Sequence, residues 1–309
     1  FEPEDLVRTQ PAGNYNESFE FIRDGKSVIV RTSPPDGNFH SLDQSMRYLT
    51  NHFSIGSPVV QPIRARSGNL VEEVVALDGS RCCVTATRKS PGLTHDHLYK
   101  DTLSEQAFRS IGNALAIFHK NSQKIGYADW DFPELLDADN CFNVWHYDER
   151  IDKRIIGKYE KQRESYAEHL PSQEDYGVIH GDIHFDNIIV DTTSNAVTFC
   201  DFDDICRGLY VTDLAMILFD LAIIMRCENK AGVVRNLAEI VLNSYSDSRK
   251  VNRISLSEMD GFLKLLELSL FIQYYDLYKN LDPLDGWLKL FYEGREERIL
   301  CDTPLLSDI

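Results

Sequence analysis

The stretch Val178–Asp204, VIHGDIHFDNIIVDTTSNAVTFCDFDD, decides the fold. Between two apolar runs it places Asp182 and, five residues on in the same loop, Asn187. Asp201 follows fourteen residues later, directly behind the β-prone run Ala196–Cys200. A phosphoryl group moving to a hydroxyl passes through a transition state rich in negative charge, so a protein that catalyses this must hold Mg²⁺ with hard oxygen ligands and set a carboxylate beside the attacking hydroxyl. Asp182 suits the base, and Asn187 and Asp201 suit the metal. Aspartate and asparagine also cap turns around hairpins. Three such residues in this order and spacing favour a phosphoryl-transfer site over turn capping.

The pattern HGDIHFDN followed by D-F-D resembles the catalytic loop and metal-binding triplet of kinases, with Asp203 standing where D-F-G has glycine. In this form it is similar to the aminoglycoside phosphotransferase and choline kinase superfamily, in particular its bacterial small-molecule-kinase and stress-response-kinase-like branches. The resemblance implies an α+β, bilobal protein-kinase-like fold. A small N-terminal lobe of antiparallel sheet plus helix is expected over residues 1–88, and a larger, mainly helical catalytic and substrate lobe over 89–309. It implies ATP and Mg²⁺ as cofactors, Asp182 as the catalytic base, and Asn187 and Asp201 as metal ligands. His180 is expected to pack inward and hydrogen-bond backbone near Asp201. Asp213, in the D-L-A triplet, is expected to brace the catalytic loop. A neutral His184 would brace the same loop, and Asp203 and Asp204 would support Mg²⁺ or face a cationic substrate.

Upstream, residues 6–31 read as three short strands, LVRTQPA, SFEFI and SVIVRT, the last two joined by a turn at Asp24-Gly25. The loop around Gly13 and Asn14 is placed to lie over nucleotide phosphates, as the Gly-rich loop of kinases does. The third strand ends in Arg31, where kinases carry the phosphate-gripping lysine. An arginine there still binds phosphate, bidentately. The helix-like segment Ser41–Asn51 contains one acid, Asp43, and leaves the acidic partner of Arg31 open. A hairpin around Asp78-Gly79 leads to Ala86–Lys89, where the resemblance places an adenine-reading hinge formed by the backbone of Thr87, Arg88 and Lys89.

Downstream, Phe108, Ile111, Leu115 and Phe118 recur at helical steps, and His119 near that helix end reads as structural. Gly126–Asn143 reads as loop, Asp148–Leu170 as a polar helix and Tyr210–Met225 as an apolar one. Val233–Tyr245 and Leu256–Lys279 read as amphipathic helices, the acids of the latter, Glu258, Asp260, Glu267 and Asp276, as solvated faces.

The chain has 309 residues, 43% of them hydrophobic, enough for two substantial cores. Its net charge of −17 repels nucleic acid and favours a cationic small molecule. Leu214–Met225 is broken by Asp220 and too short for a bilayer. Seven cysteines without a CxxC pair point to reduced thiols in the cytoplasm. The chain opens FEPEDLV, without methionine or a signal pattern, so residue 1 is expected not to be the natural start. The expected activity is transfer of the ATP γ-phosphate to a hydroxyl of a small, cationic molecule such as an aminoglycoside or amino alcohol. The alternatives are a protein Ser/Thr kinase of the stress-response type and a non-catalytic nucleotide-binding pseudokinase.

Overall fold

The computed structural model describes residues 6–8, 16–23, 25–34, 39–75, 79–94, 104–138, 140–168, 175–227, 231–280 and 286–306. Gly13, Asn14, Asp24 and Asp78 lie outside them.

The N-terminal part carries an antiparallel sheet built from β1 (Leu6–Arg8), β2 (Glu17–Arg23), β3 (Lys26–Ser33), β4 (Gln61–Pro62), β5 (Val71–Val75) and β6 (Arg81–Arg88). Its order is β1-β2-β3-β6-β4, with β5 also pairing β6. The register sets Arg31 opposite Ser18 on one side and Thr85 on the other, in the middle of the sheet. Helix α1 (Phe39–Ser54) packs beside it and buries Leu42, Met46, Tyr48, Leu49 and His52. These recur at three- and four-residue steps, the pattern of one buried helical face.

The remainder is mainly helical: α2 (Glu105–Ile125), α3 (Lys153–Glu168), α4 (Tyr210–Cys227), α5 (Ala231–Arg249), α6 (Leu256–Gln273), α7 (Tyr275–Asn280), α8 (Gly286–Tyr292) and α9 (Arg295–Leu300). Two small hairpin-like pairs interrupt it. β7 (Tyr176–Ile179) pairs β10 (Cys206–Leu209), and β8 (Ile188–Val190) pairs β9 (Val197–Phe199), all antiparallel. The fold is therefore the bilobal, protein-kinase-like α+β arrangement expected. No helix among the described residues is long and apolar enough to cross a membrane.

The β8–β9 hairpin is stitched on one edge to the segment between α1 and β4, and on the other to the chain leaving β6. Phe199 N–H donates to Pro58 O at 2.7 Å, and Val60 N–H to Phe199 O at 3.0 Å. On the other edge Leu93 and Val190 exchange two backbone bonds, both 3.0 Å. Gly92 makes that approach possible: at φ +122° its Cβ position would lie 2.5 Å from Val190 O, so a side chain does not fit.

Two expectations need correction. The helix read as Leu256–Lys279 breaks at Tyr274, giving α6 and α7, and after the break Tyr278 stacks on Tyr292 with ring centroids 4.1 Å apart. Packing against α8, which the sequence of that segment does not contain, decides this. Glu267 is also no solvated acid. It is buried, and Arg295, wholly buried too, donates Nη1 to its carboxylate while Nε bonds Phe291 O at 2.9 Å. Removing one partner of such a pair leaves a buried charge unpaired. Glu267→Leu should therefore lower unfolding free energy by about 3–5 kcal/mol in urea titrations, whereas the Glu267→Leu/Arg295→Met double variant should recover most of that loss.

Candidate active site

The catalytic loop starts where β7 ends. His180 and Gly181 follow Ile179, and a short 3-10 turn, Phe185–Asn187, leads directly into β8. Gly181 has φ +81°, and a Cβ there would lie 2.1 Å from the carbonyl oxygen of Asp204. Only glycine lets the loop turn and lie against the D-F-D-D segment.

Within the loop, Asn187 Nδ2 donates to Asp182 O at 2.7 Å and lies 3.4 Å from Asp182 Oδ2. The amide nitrogen is thus spent on the loop, leaving Oδ1 as the group able to accept or to bind a hard cation. Cys200 N–H donates to Asn187 O at 3.0 Å, setting Asp201 beside Asn187 across the base of the β8–β9 hairpin. Asp201 adopts φ 61°, which turns its chain sharply out of β9. His180 is buried, and its Nε2 hydrogen-bonds Cys200 O at 2.9 Å, the residue preceding Asp201. The structure thus brings Asp182, Asn187, Asp201 and His180 together.

Asp213, in the first turn of α4, is fully buried and accepts from the backbone N–H of His180 at 2.9 Å and of Gly181 at 3.1 Å. Its Oδ2 also pairs with His119 Nε2 at 2.9 Å, while His119 Nδ1 meets Tyr245 Oη at 2.9 Å. Burial lowers the His119 pKa, with Asp213 opposing, so the ring is neutral, donating from Nε2 to Asp213 and accepting at Nδ1 from the tyrosine. Asp213 therefore holds both the start of the loop and α2. Asp220, the acid that interrupts the apolar run of α4, accepts from Phe185 N–H at 2.7 Å. Its signal in the sequence was that interruption; the partner was not visible there.

His184 departs from expectation. Burial alone would lower its pKa, but the carboxylates of Asp182, Asp220 and Asp186 outweigh it and raise the value to about 9. Asp182, 3.5 Å from His184 Nε2, is held below its ordinary value: burial pushes it up, and the bond and charge of His184 pull it further down. At neutral pH the residue is an imidazolium paired with Asp182, not a neutral brace.

Arg31 reaches the site from β3. Its Nη1 lies 2.9 Å from both Asp201 Oδ1 and Asp203 Oδ1, and Nη2 lies 2.5 Å from Asp203 Oδ2. Asp43 is not its partner, since that carboxylate faces Arg47 on its own helix at 2.6 Å. β6 continues through Arg88, with Ala86 O accepting from Ile63 N–H at 2.8 Å, so the chain leaves the sheet at Lys89, later than expected. There Lys89 N–H bonds Ser27 O at 3.1 Å, its Nζ pairs with Glu20, and Arg88 Nε bonds Gln61. The side chains of Arg88 and Lys89 are thus tied to the sheet, and Thr87 stands in the strand opposite Ile29 and Pro62. Of the acids on α6 and α7, Glu258 caps its helix and Asp276 pairs with Arg150. The loop Gly126–Asn143 comes near the site: burial, then the charges of Asp182 and Asp204, push the Cys141 thiol up. Ser269 and Gln273 of α6 hold this segment through the carbonyls of Cys141, at 2.6 Å, and Asn143, also at 2.6 Å.

The arrangement combines a carboxylate kept ionised, an amide and a carboxylate oxygen side by side, and a guanidinium across from them. Among the described residues no group of three or more His, Cys, Asp or Glu side chains forms a closed metal cage. An open pair of oxygen donors suits a divalent cation whose shell is completed by phosphates and water. Because the His184 pKa is raised, its pairing contributes fully to stability below about pH 6.5, the ordinary histidine value, and that contribution is lost as pH rises through about 9. The melting-temperature difference between the wild type and His184→Gln, followed by differential scanning fluorimetry, should be largest near about pH 6 and vanish by about pH 10.

The chain is similar to several phosphotransferases. Over 302 residues it is 21% identical to the amicoumacin kinase of Bacillus subtilis (strain 168), covering 94% of this chain and 86% of that protein. An amicoumacin kinase solved in complex with AMP-PNP and Ca²⁺ superposes with a TM-score of 0.82 at 18% identity, covering 99% of this chain and 90% of that one. A microcompartment-associated aminopropanol kinase does so with a TM-score of 0.67 at 19% identity, covering 98% and 94%. The model of the phosphotransferase enzyme family APH matches residues 7–237, more than half of the chain, and the protein belongs to that family.

Proposed function

We propose that the protein transfers the γ-phosphate of ATP, with Mg²⁺, to a hydroxyl of a small, cationic molecule, an amino alcohol or an aminoglycoside-like compound. The observation that carries this is the convergence of Asp182, Asn187 and Asp201 from the loop and hairpin with Arg31 from the sheet. The relatives support it, because an amicoumacin kinase and an aminopropanol kinase share the fold. The nucleotide-binding lobe would span residues 1–88 and the catalytic and substrate lobe 89–309, with the nucleotide held between them.

Asn187 Oδ1 and the Asp201 carboxylate would hold the metal, and Arg31 would meet the phosphates; the open oxygen-donor pair fits Mg²⁺. Bound Mg²⁺–ATP supplies the transferable phosphoryl group and neutralises the charge that develops on it. Asp182 orients the acceptor hydroxyl and takes its proton late, and His184 keeps that carboxylate ionised. The backbone of Lys89 and the residues after it would read the adenine edge, and the loop of Gly13 and Asn14 would cover the phosphates. Asp182 and Asp204 beside Cys141 give the acceptor side negative character, which favours an ammonium-bearing acceptor. The same chain-wide charge of −17 disfavours nucleic acid, and the described cysteines are free, as in a reducing cytoplasm.

With ATP and Mg²⁺, the purified protein should release ADP and form a phosphomonoester with at least one member of a panel of hydroxylated amines, aminoglycosides and amino alcohols. No product across that panel, or labelled phosphate appearing on protein instead, overturns the proposal. On the acceptor found, Asp182→Asn should lower kcat by about 10²–10⁴-fold. It should leave the thermal shift with AMP-PNP intact, whereas Asp201→Asn should remove the Mg²⁺-dependent part of that shift.

A further inference from the structure

In protein kinases the cation at the end of the third strand is held by a glutamate on the helix that follows. Helix α1 cannot do this here. Its acid Asp43 is paired with Arg47, and its far end is fixed by buried His52, whose Nδ1 lies 2.7 Å from Ser57 Oγ. Arg31 turns the other way. Nη1 and Nη2 take the two oxygens of one carboxylate, Asp203 Oδ1 at 2.9 Å and Oδ2 at 2.5 Å. Two parallel bonds of this kind need the planar fork of arginine, which lysine lacks. The same Asp203 accepts from Asn16 Nδ2 at 3.3 Å, at the start of β2. The Arg31 side chain is 19% exposed and that of Asp203 27%, so the pair is sheltered from the screening that weakens surface ion pairs.

We propose that Asp203, the third residue of the D-F-D triplet, positions Arg31 for the nucleotide phosphates in place of an acid on α1; this rests on the phosphate-binding role inferred for Arg31 above. Arg31 also touches Asp201 at 2.9 Å, through the same Nη1 that bonds Asp203 Oδ1, whereas Nη2 bonds Asp203 and not Asp201. A cation drawing Asp201 to itself therefore leaves Arg31 anchored. Metal ligand and phosphate grip are then set by one acidic turn of the larger lobe, and the orientation of α1 no longer controls the grip. The arginine at position 31 follows from this, because a lysine would meet only one oxygen of Asp203 at a time.

The test is a double-variant cycle read as the AMP-PNP dissociation constant by calorimetry in excess Mg²⁺, with the melting temperature of each unliganded variant as a folding control. Arg31→Lys and Asp203→Asn should each weaken AMP-PNP about ten- to hundredfold, the scale of a charged hydrogen bond. The double variant should be no weaker than the weaker single one. Asp203→Glu, which keeps the carboxylate, should stay within about threefold of wild type, and Asp43→Asn should be unchanged. Additive losses, a Mg²⁺ requirement raised by Asp203→Asn in the Arg31→Lys background, or weakened binding in Asp43→Asn overturns the role of Asp203 alone. If Asp203→Asn fails to fold, Asp203→Ser, which also removes the carboxylate, takes its place in the cycle. Wild type that does not bind AMP-PNP with Mg²⁺ overturns this role and the proposed function together.

Discussion

Asp213 is fully buried, and a carboxylate out of water persists only where donors surround it. Here the donors are the backbone N–H groups of His180 and Gly181 and the Nε2–H of neutral His119. One side chain thereby fixes the entrance of the catalytic loop to α4 and α4 to α2. The position of Asp182 follows, because it is the next residue after that anchored backbone, and Gly181 is itself pressed against the Asp204 carbonyl. Displacing the anchor would shift both the loop and the acidic turn it leans on.

The second element of order is the β8–β9 hairpin. At its base it carries Asn187, just before β8, beside Asp201, just beyond β9, and it is bonded on one edge to Pro58 and Val60 and on the other to Leu93. Pro58 and Val60 belong to the segment between α1 and β4, and Leu93 to the chain leaving β6. Relative placement of the two lobes is thus built from backbone hydrogen bonds, supplemented by the contact of Arg31 with Asp201 and Asp203. Backbone bonds set distances to within a few tenths of an ångström. That precision suits a site whose chemistry depends on positioning more than on covalent participation.

The electrostatics divide the site into two sides. On one side the Arg31 guanidinium faces the carboxylates of Asp201 and Asp203, and on the other the His184 imidazolium faces those of Asp182 and Asp186. His184 keeps its proton because three carboxylates surround it, against the pull of burial. A neutral histidine was the natural expectation for a loop brace, and only the convergence of Asp220 from α4 with Asp182 and Asp186 from the loop reverses it.

Much of this was legible in the residues alone. HGDIHFDN and D-F-D name a reaction class because chemistry restricts which side chains can hold Mg²⁺ and orient a hydroxyl, and their spacing survives as a local property of one loop and one hairpin. The strands, the turn at Gly25 and the helices α2, α4 and α5 follow from periodicity and turn residues, again local signals. What local signals cannot hold is pairing across the fold. The partner of Arg31 lies 172 positions away, that of Glu267 on a helix with no motif, and the charge of His184 depends on a helix that arrives from elsewhere. The sequence by itself determined the reaction type and the elements that carry it, because both are written in short-range pattern. Tertiary structure decided which acid holds the cation, which histidine is charged and where the last long helix breaks, because each of these is a contact between segments that only folding brings together.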